Sequence, residues 1–245
     1  MIIILFINLS VFCKYMYMER FNIIDNLRGI AFIFMVIQHI FYFYDVSTDY
    51  QTKLAENTII SSSGVIARTM FILLAGYSVY MAYKKDPENH IYKRINKSAE
   101  ILLHALFITF ITYILYPKYF VRFGILHFLA LGTLLISFIS SNKILPIIFL
   151  VIGLSFNFPK INPFVDTISG ASINYQMMDW FPLSSSLPIL LCGLIIGQHL
   201  DITKLDFLQD KSIITEIGKN SLTLYTIHVI ILLAVYKIYS KKLNK

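Results

Sequence analysis

Charge is scarce in this chain. Only 14% of its 245 residues are charged while 57% are hydrophobic, and the mean hydropathy is +0.68. A water-soluble core could not hide that much apolar surface, so the composition excludes a soluble globular protein and implies a polytopic membrane protein. Cysteine is scarce too. Cys13 and Cys192 both sit in apolar segments and make neither a metal-ligand motif nor a disulfide framework. There is no GxxxxGK[ST] string, no GxGxxG after a strand, no HExxH and no GxSxG, which argues against an ATPase, a dinucleotide enzyme or a zinc protease. Repeats, low-complexity tracts and a separate soluble domain are missing as well. Residues 1–13 are apolar but too short to span, and they lack the charged start and cleavage site of a signal peptide. Residues 1–17 therefore read either as an extension ahead of a start at Met18 or as an interfacial anchor. Residues 18–245 read as a single transmembrane domain.

What is abundant fits that class. The chain has 20 Phe and 16 Tyr, many near the ends of apolar segments, where such rings sit at the headgroup level. Seven apolar segments pass the length test for a span, some of them narrowly, near 23–44, 59–83, 98–116, 122–140, 143–158, 183–200 and 217–239. The expected fold is an all-α transmembrane bundle of seven to eight spans. The net charge of +7 lies in short loops and the tail, where it sets topology and meets anionic headgroups; it is no nucleic-acid signal. Lys14, Arg20 and Arg28 flank the first segment, and Lys84, Lys85, Lys93, Arg94 and Lys97 occupy the second loop. The first loop has only Lys53, beside Asp45, Asp49 and Glu56. This bias predicts a cytoplasmic N-terminus and second loop. The basic tail (Lys237, Lys241, Lys242, Lys245) disagrees, because seven spans would place it outside. Either an eighth crossing precedes residue 183 or the tail is an exception.

The ionisable residues within the apolar segments point to chemistry. In RFNIIDNLRGIAFIFMVIQHIFYFYD, residues 20–45, Asp25, Arg28 and His39 fall within an arc of roughly 60° on one helical face. Arg28 and His39 are ~16 Å apart along that face. An ionisable group in a membrane helix costs several kcal/mol unless it faces protein or water, which makes it a site candidate; the plainer alternative is a histidine that bonds a neighbouring helix. Four of the six histidines, His39, His104, His127 and His228, lie inside expected spans, and imidazole is well suited to moving protons near neutral pH. His127 closes RFGILH and reads equally as an interfacial residue. Ser221, Tyr225 and His228 repeat at i, i+4, i+7 on one face, serving either a site or interhelical hydrogen bonding alone. His104 with Glu100 reads as a charged pair at a helix start, and His90 and His199 carry no signal. Arg68, in SSSGVIARTMFILLAGYS, needs an anionic partner such as Asp25, Asp179 or a bound phosphate, unless it snorkels to the interface. The small residues around it permit close helix approach. Asp179, ahead of Trp180, could orient a histidine or bind an amine, or could cap a helix.

Taken together, the strings carry a resemblance. R-x4-D-x2-RG-x-A-x3-M-x3-H from Arg20 to His39 is followed by FILLAG, FGILH, DWFPL and SLTLYTIH. In that order they resemble the catalytic domain of the heparan-α-glucosaminide N-acetyltransferase family in its short prokaryotic form, over Arg20 to about Leu233. The Arg28–His39 spacing also resembles the first helix of membrane O-acyltransferases that modify bacterial surface polysaccharides. The resemblance implies acyl transfer across a membrane, from cytoplasmic acetyl-CoA to an amine or hydroxyl of a cell-surface glycan on the far side, with no metal. His39 would then be base or nucleophile, with Asp179 as a second catalytic residue. Asp25, Arg28, His127, His228, Tyr225 and Ser221 would support them, and Arg28, Arg68, Lys93 and Arg94 would meet the donor. The animal enzyme, as aligned, carries a different polar residue at the position of His39. Its proposed active histidine falls in a loop that here has Asp45, Asp49 and Tyr50 instead, so heparan specificity does not carry over. The expected surroundings are the bilayer, most simply the plasma membrane, a glycan or small-molecule acceptor and a second copy of the chain. Two other classes compete: a transporter or flippase with a histidine proton relay, and a non-catalytic membrane partner that retained the fold.

Overall fold

A computed structural model describes residues 21–48, 51–155, 159–171, 177–204 and 211–243. The expected extension at 1–17, Arg20, Asp49, Tyr50 and Lys245 lie outside the described residues. Among the described residues there are nine α-helices and no strand: α1 Asn22–Ser47, α2 Thr58–Lys85, α3 His90–Leu115, α4 Ile125–Ser137, α5 Leu145–Ser155, α6 Pro163–Ser169, α7 Leu183–His199, α8 Ile213–Lys219 and α9 Ser221–Leu243.

Local chemistry sets where the helices turn back. Asp45, near the end of α1, is 1% exposed; it accepts the Thr52 hydroxyl at 2.5 Å and the backbone N–H groups of Leu54 and Ala55 at 2.9 and 2.8 Å. These bonds fold the α1–α2 loop back on itself. Asn57 then caps α2, its side chain accepting from the Ile59 N–H at 3.1 Å, and Lys84 and Lys85 end the helix where its dipole favours cations. Two close helix contacts follow from glycine. A Cβ at Gly76 would collide with the Leu190 carbonyl, and one at Gly193 with the Leu73 carbonyl, so α2 and α7 meet backbone to backbone. The short α8 seats on the start of α1 in the same manner through Gly29 and Gly218. There the Asn26 side-chain oxygen accepts from Ser212 at 3.1 Å and from Thr215 at 2.7 Å. Phe128, Leu190 and Leu194 are fully buried at the centre, whereas Leu103, Leu106, Phe110, Tyr113 and Ile114 leave one side of α3 exposed and apolar. That is the surface of a bundle whose outer solvent is lipid.

Four helices are long and apolar enough to cross a membrane: α1, α2, α3 and the Ser221–Tyr239 part of α9. This corrects the expected seven to eight spans. The fourth expected span begins as a helix only at Ile125, and the 13 residues of α4 rise ~20 Å, short of a hydrocarbon core ~30 Å thick. The helices found for the fifth and sixth, α5 and α7, have 11 and 17 residues. In the stretch where an eighth crossing was considered, the described helix is α6, with seven residues.

Helix directions resolve the tail. His104 bonds Thr226 at 2.8 Å, and Lys237 lies 4.6 Å from the Tyr116 ring, so α3 and α9 run parallel. Tyr44, at the end of α1, meets Tyr236 and Tyr239 at ring-centroid distances of 5.8 and 6.0 Å. The far end of α9 therefore lies beside the far end of α1, opposite the end where Asp25 sits.

Candidate functional site

α1 and α9, parallel neighbours, bring His39 and His228 together. Nδ1 of His39 lies 2.8 Å from Nε2 of His228, the rings stacked at 11° with centroids 5.1 Å apart. On its other side His228 Nδ1 lies 3.0 Å from the Leu224 carbonyl, one turn back on α9. Tyr225 closes the group from the same face of α9, its ring 6.0 Å from that of His39 and 5.5 Å from that of His228. Phe43 and Phe32 complete the aromatic wall. His39 itself is partly buried.

Tyr225 also borders a narrow gap, with room for roughly one water at most, lined by Ile108, Val121, Gly124, His127 and Asp179 among others. Its wall is irregular backbone. Residues 119–123 and 178–181 lie side by side, with Met178 N–H donating to Tyr119 O at 2.8 Å and Phe181 N–H to Phe123 O at 3.1 Å. Non-helical backbone at membrane depth is tolerated only where protein buries it or where it lines a cavity. The pairing delivers Asp179 to the start of α4, where its Oδ2 accepts the Ile125 N–H at 2.8 Å. A side chain at Gly124 would occupy the place of that carboxylate. Asp179 thus caps a helix from 54 residues away and also faces the gap. His127 Nδ1 accepts from the Gly124 N–H at 3.3 Å, and its Nε2 lies 3.4 Å from the Thr109 hydroxyl.

A second polar group lies ~16 Å from His39 along α1. Arg28 bonds Asp25 at 3.0 Å and the Ser78 hydroxyl at 2.6 Å. Asp25 is 1% exposed, and its second oxygen makes no hydrogen bond. The Arg28 charge acts on Arg94, which has no hydrogen bond or ion pair among the described residues. The cluster thus holds one carboxylate, paired with Arg28, and a second guanidinium with no carboxylate of its own among the described residues. Lys93 is elsewhere, 2.5 Å from Asp86, whose carboxyl this hydrogen bond holds below its ordinary range.

The remaining expected residues divide. Arg68 is exposed on α2 at a level between the two groups, since Gly64 lies against Gln38 and Ser78 against Arg28. Its charge reaches Asp179, one of the partners expected for it. Ser221 opens α9 and makes no hydrogen bond to the histidine pair. The Glu100 carboxylate accepts from Lys97 at 2.9 Å and its charge also acts on His104, whose Nδ1 lies 2.8 Å from the Thr226 hydroxyl and so links α3 to α9. Ser78, Thr109 and Thr226 were not anticipated; hydroxyls inside apolar helices bear no mark that distinguishes a site partner from packing glue.

A helical bundle with apolar outer faces, imidazoles facing one another inside and clustered guanidiniums toward one end is an integral membrane protein with a built polar interior. The family model described as heparan-alpha-glucosaminide N-acetyltransferase, catalytic, matches residues 20–230, most of the chain, and the chain belongs to that family. Membership makes it a membrane transferase of the acyltransferase kind. Comparison with curated proteins and with solved structures gave no significant match.

Proposed function

We propose that the chain transfers an acetyl group from acetyl-CoA, presented at the Arg28 end, to an amine or hydroxyl of a glycan acceptor that approaches from the far side. The observation that carries this reading is the alignment on α1: a cation-rich mouth at Arg28 and an imidazole pair at His39, separated by a length that an extended thiol-ended arm can bridge. The mouth suits the donor chemically. Arg94 lacks an anionic partner, and Arg28 beside it adds a second guanidinium, a donor set matched to phosphate oxygens. The unbonded Asp25 oxygen offers an acceptor to an N–H or O–H of the same molecule. Acetyl-CoA supplies the activated acyl carbon; the chain supplies binding, orientation and proton movement.

In this mechanism His39 Nε2 takes the proton that the acceptor loses as its nitrogen or oxygen bonds to the acyl carbon. The same nitrogen returns that proton to the sulfur as the carbon–sulfur bond breaks, so protons balance over the cycle. Tyr225 and the Asp179 carboxylate line a narrow gap beside the pair, and Arg68 adds positive charge at the depth where the acceptor would approach.

The charge bias of the first two loops supports a cytoplasmic Arg28 end in the plasma membrane. The test is thermal stability in detergent: acetyl-CoA and CoA should raise the melting temperature, and analogues without the phosphates should not. Equal shifts from the phosphate-free analogues would remove the proposed role of the mouth.

A further inference from the structure

We propose that His228 is the positioning residue of the site: it holds His39 in a single tautomer, with the Nε2 lone pair free, and shares the charge that His39 acquires during transfer. The proposal rests on the reading of His39 as the base and adds how a neutral membrane interior can orient it.

The tautomers follow from the bonding partners. A carbonyl oxygen only accepts, so the nitrogen 3.0 Å from Leu224 O, His228 Nδ1, carries a hydrogen. In a neutral ring the hydrogen on Nδ1 leaves a lone pair on Nε2. That lone pair faces His39 Nδ1 at 2.8 Å, so His39 must donate from Nδ1. The hydrogen of a neutral His39 is then fully assigned, and its Nε2 is left bare. The relay runs one way, from His39 through His228 to the backbone of α9. His127 has the opposite arrangement: the Gly124 N–H at 3.3 Å claims its Nδ1 lone pair and leaves the hydrogen on Nε2, toward Thr109. Two imidazoles beside the same interior therefore hold opposite tautomers, and the difference lies in their backbone partners.

The arrangement does what a carboxylate does behind a catalytic histidine, without a standing charge. An ionised carboxylate at this depth would need compensation for its lost hydration, whereas a neutral imidazole orients its neighbour at little electrostatic cost. When His39 Nε2 takes the acceptor's proton, its Nδ1–H bond to His228 becomes charge-assisted and stronger. The bond thus tightens at the moment of transfer and relaxes when the proton moves on to the departing sulfur. The other titratable groups around the pair are Tyr225 on α9, His104 on α3, His127 on α4 and Asp179, none of which comes between the two rings.

The test reads His39 directly, without needing the natural acceptor. Full-length protein in detergent is treated with diethyl pyrocarbonate, which acylates an unprotonated imidazole nitrogen, and modification of His39 is followed by mass spectrometry. His228→Phe keeps ring volume against Phe32 but removes the acceptor; His228→Gln keeps an acceptor oxygen. The expected result is labelling of His39 slowed about 10-fold in H228F and less than about 3-fold in H228Q. The midpoint of the pH dependence of labelling should move by about half a unit in H228F, because two coupled rings become one. Unchanged labelling in H228F with an intact CoA-induced stability shift overturns the proposal. Nitrogen-15 spectra of histidine-labelled wild-type protein give an answer that needs no variant. Nδ1–H forms of both His39 and His228 support the relay, and an Nε2–H form of His39 overturns it. If the relay holds but His39→Ala still transfers acetyl groups, the base assignment fails and the positioning stands.

Discussion

The two ends of α1 handle polar side chains in different ways. At the Asp25–Arg28 end, full charges touch: a carboxylate meets one guanidinium, and a second guanidinium stands nearby. The Arg28 side chain is 29% exposed there, so water still reaches it. At the His39 end the contacts are between groups that can be neutral, two imidazoles and a phenol. The difference teaches how the bilayer sorts chemistry by depth. Binding an anion needs permanent charge, and permanent charge is cheapest near the interface. Moving a proton needs a group that is neutral for part of the cycle, and such a group can be set deeper. The carboxylate that does lie among the deeper groups, Asp179, is held by the start of α4, whose dipole favours an anion.

That contrast can be broken or sharpened. The largest effect is expected at the deep end. His39→Ala should lower turnover on the order of 10²–10⁴-fold while donor affinity stays within about 2-fold, measured by thiol release and by calorimetry. Near-normal turnover would mean that the deep group is packing alone. At the mouth the pattern should invert. Arg28→Ala should weaken donor binding by roughly 10–100-fold, the worth of one or two charge-assisted bonds, with turnover at saturating donor little changed. Raising salt should weaken binding in the same direction, and a salt-dependent turnover at saturation would blur the separation of the two regions. A smaller effect belongs to the element between them. Asp179→Ala should cost about 1 kcal/mol of stability through the lost cap on α4, and Asp179→Asn, which keeps an acceptor oxygen, about half of that, read by thermal unfolding. The smallest concerns Lys93, already paired with Asp86: Lys93→Ala should leave donor affinity within about 2-fold, since its charge is already engaged by that carboxylate. A larger loss would extend the mouth into the second loop.

The stripe of Asp25, Arg28 and His39 could be read before any coordinates because helical periodicity is a local property: once a segment is helical, the residues that share a face are settled. Tyr225 and His228 were legible for the same reason. What periodicity does not supply is the neighbour. His39 and His228 are 189 residues apart, and they meet because α9 runs parallel to α1. Arg94 joins Arg28 through the packing of the bundle, while Lys93, one residue earlier and 100° around α3, turns to Asp86. The span count went astray at α4 for a related cause. Hydropathy marks where a chain can lie in lipid, but the start of α4 at Ile125 depends on a cap delivered from Asp179 and on the strand-like pairing that carries it.

The sequence by itself determined the solvent of this protein and the faces of its helices, because hydropathy and a 3.6-residue period act within one segment. Tertiary structure decided which faces look at each other, which imidazole keeps a free lone pair and where helix gives way to extended backbone. Each of those outcomes depends on hydrogen-bond partners tens to hundreds of residues away, and a partner's position is a property of the packed bundle.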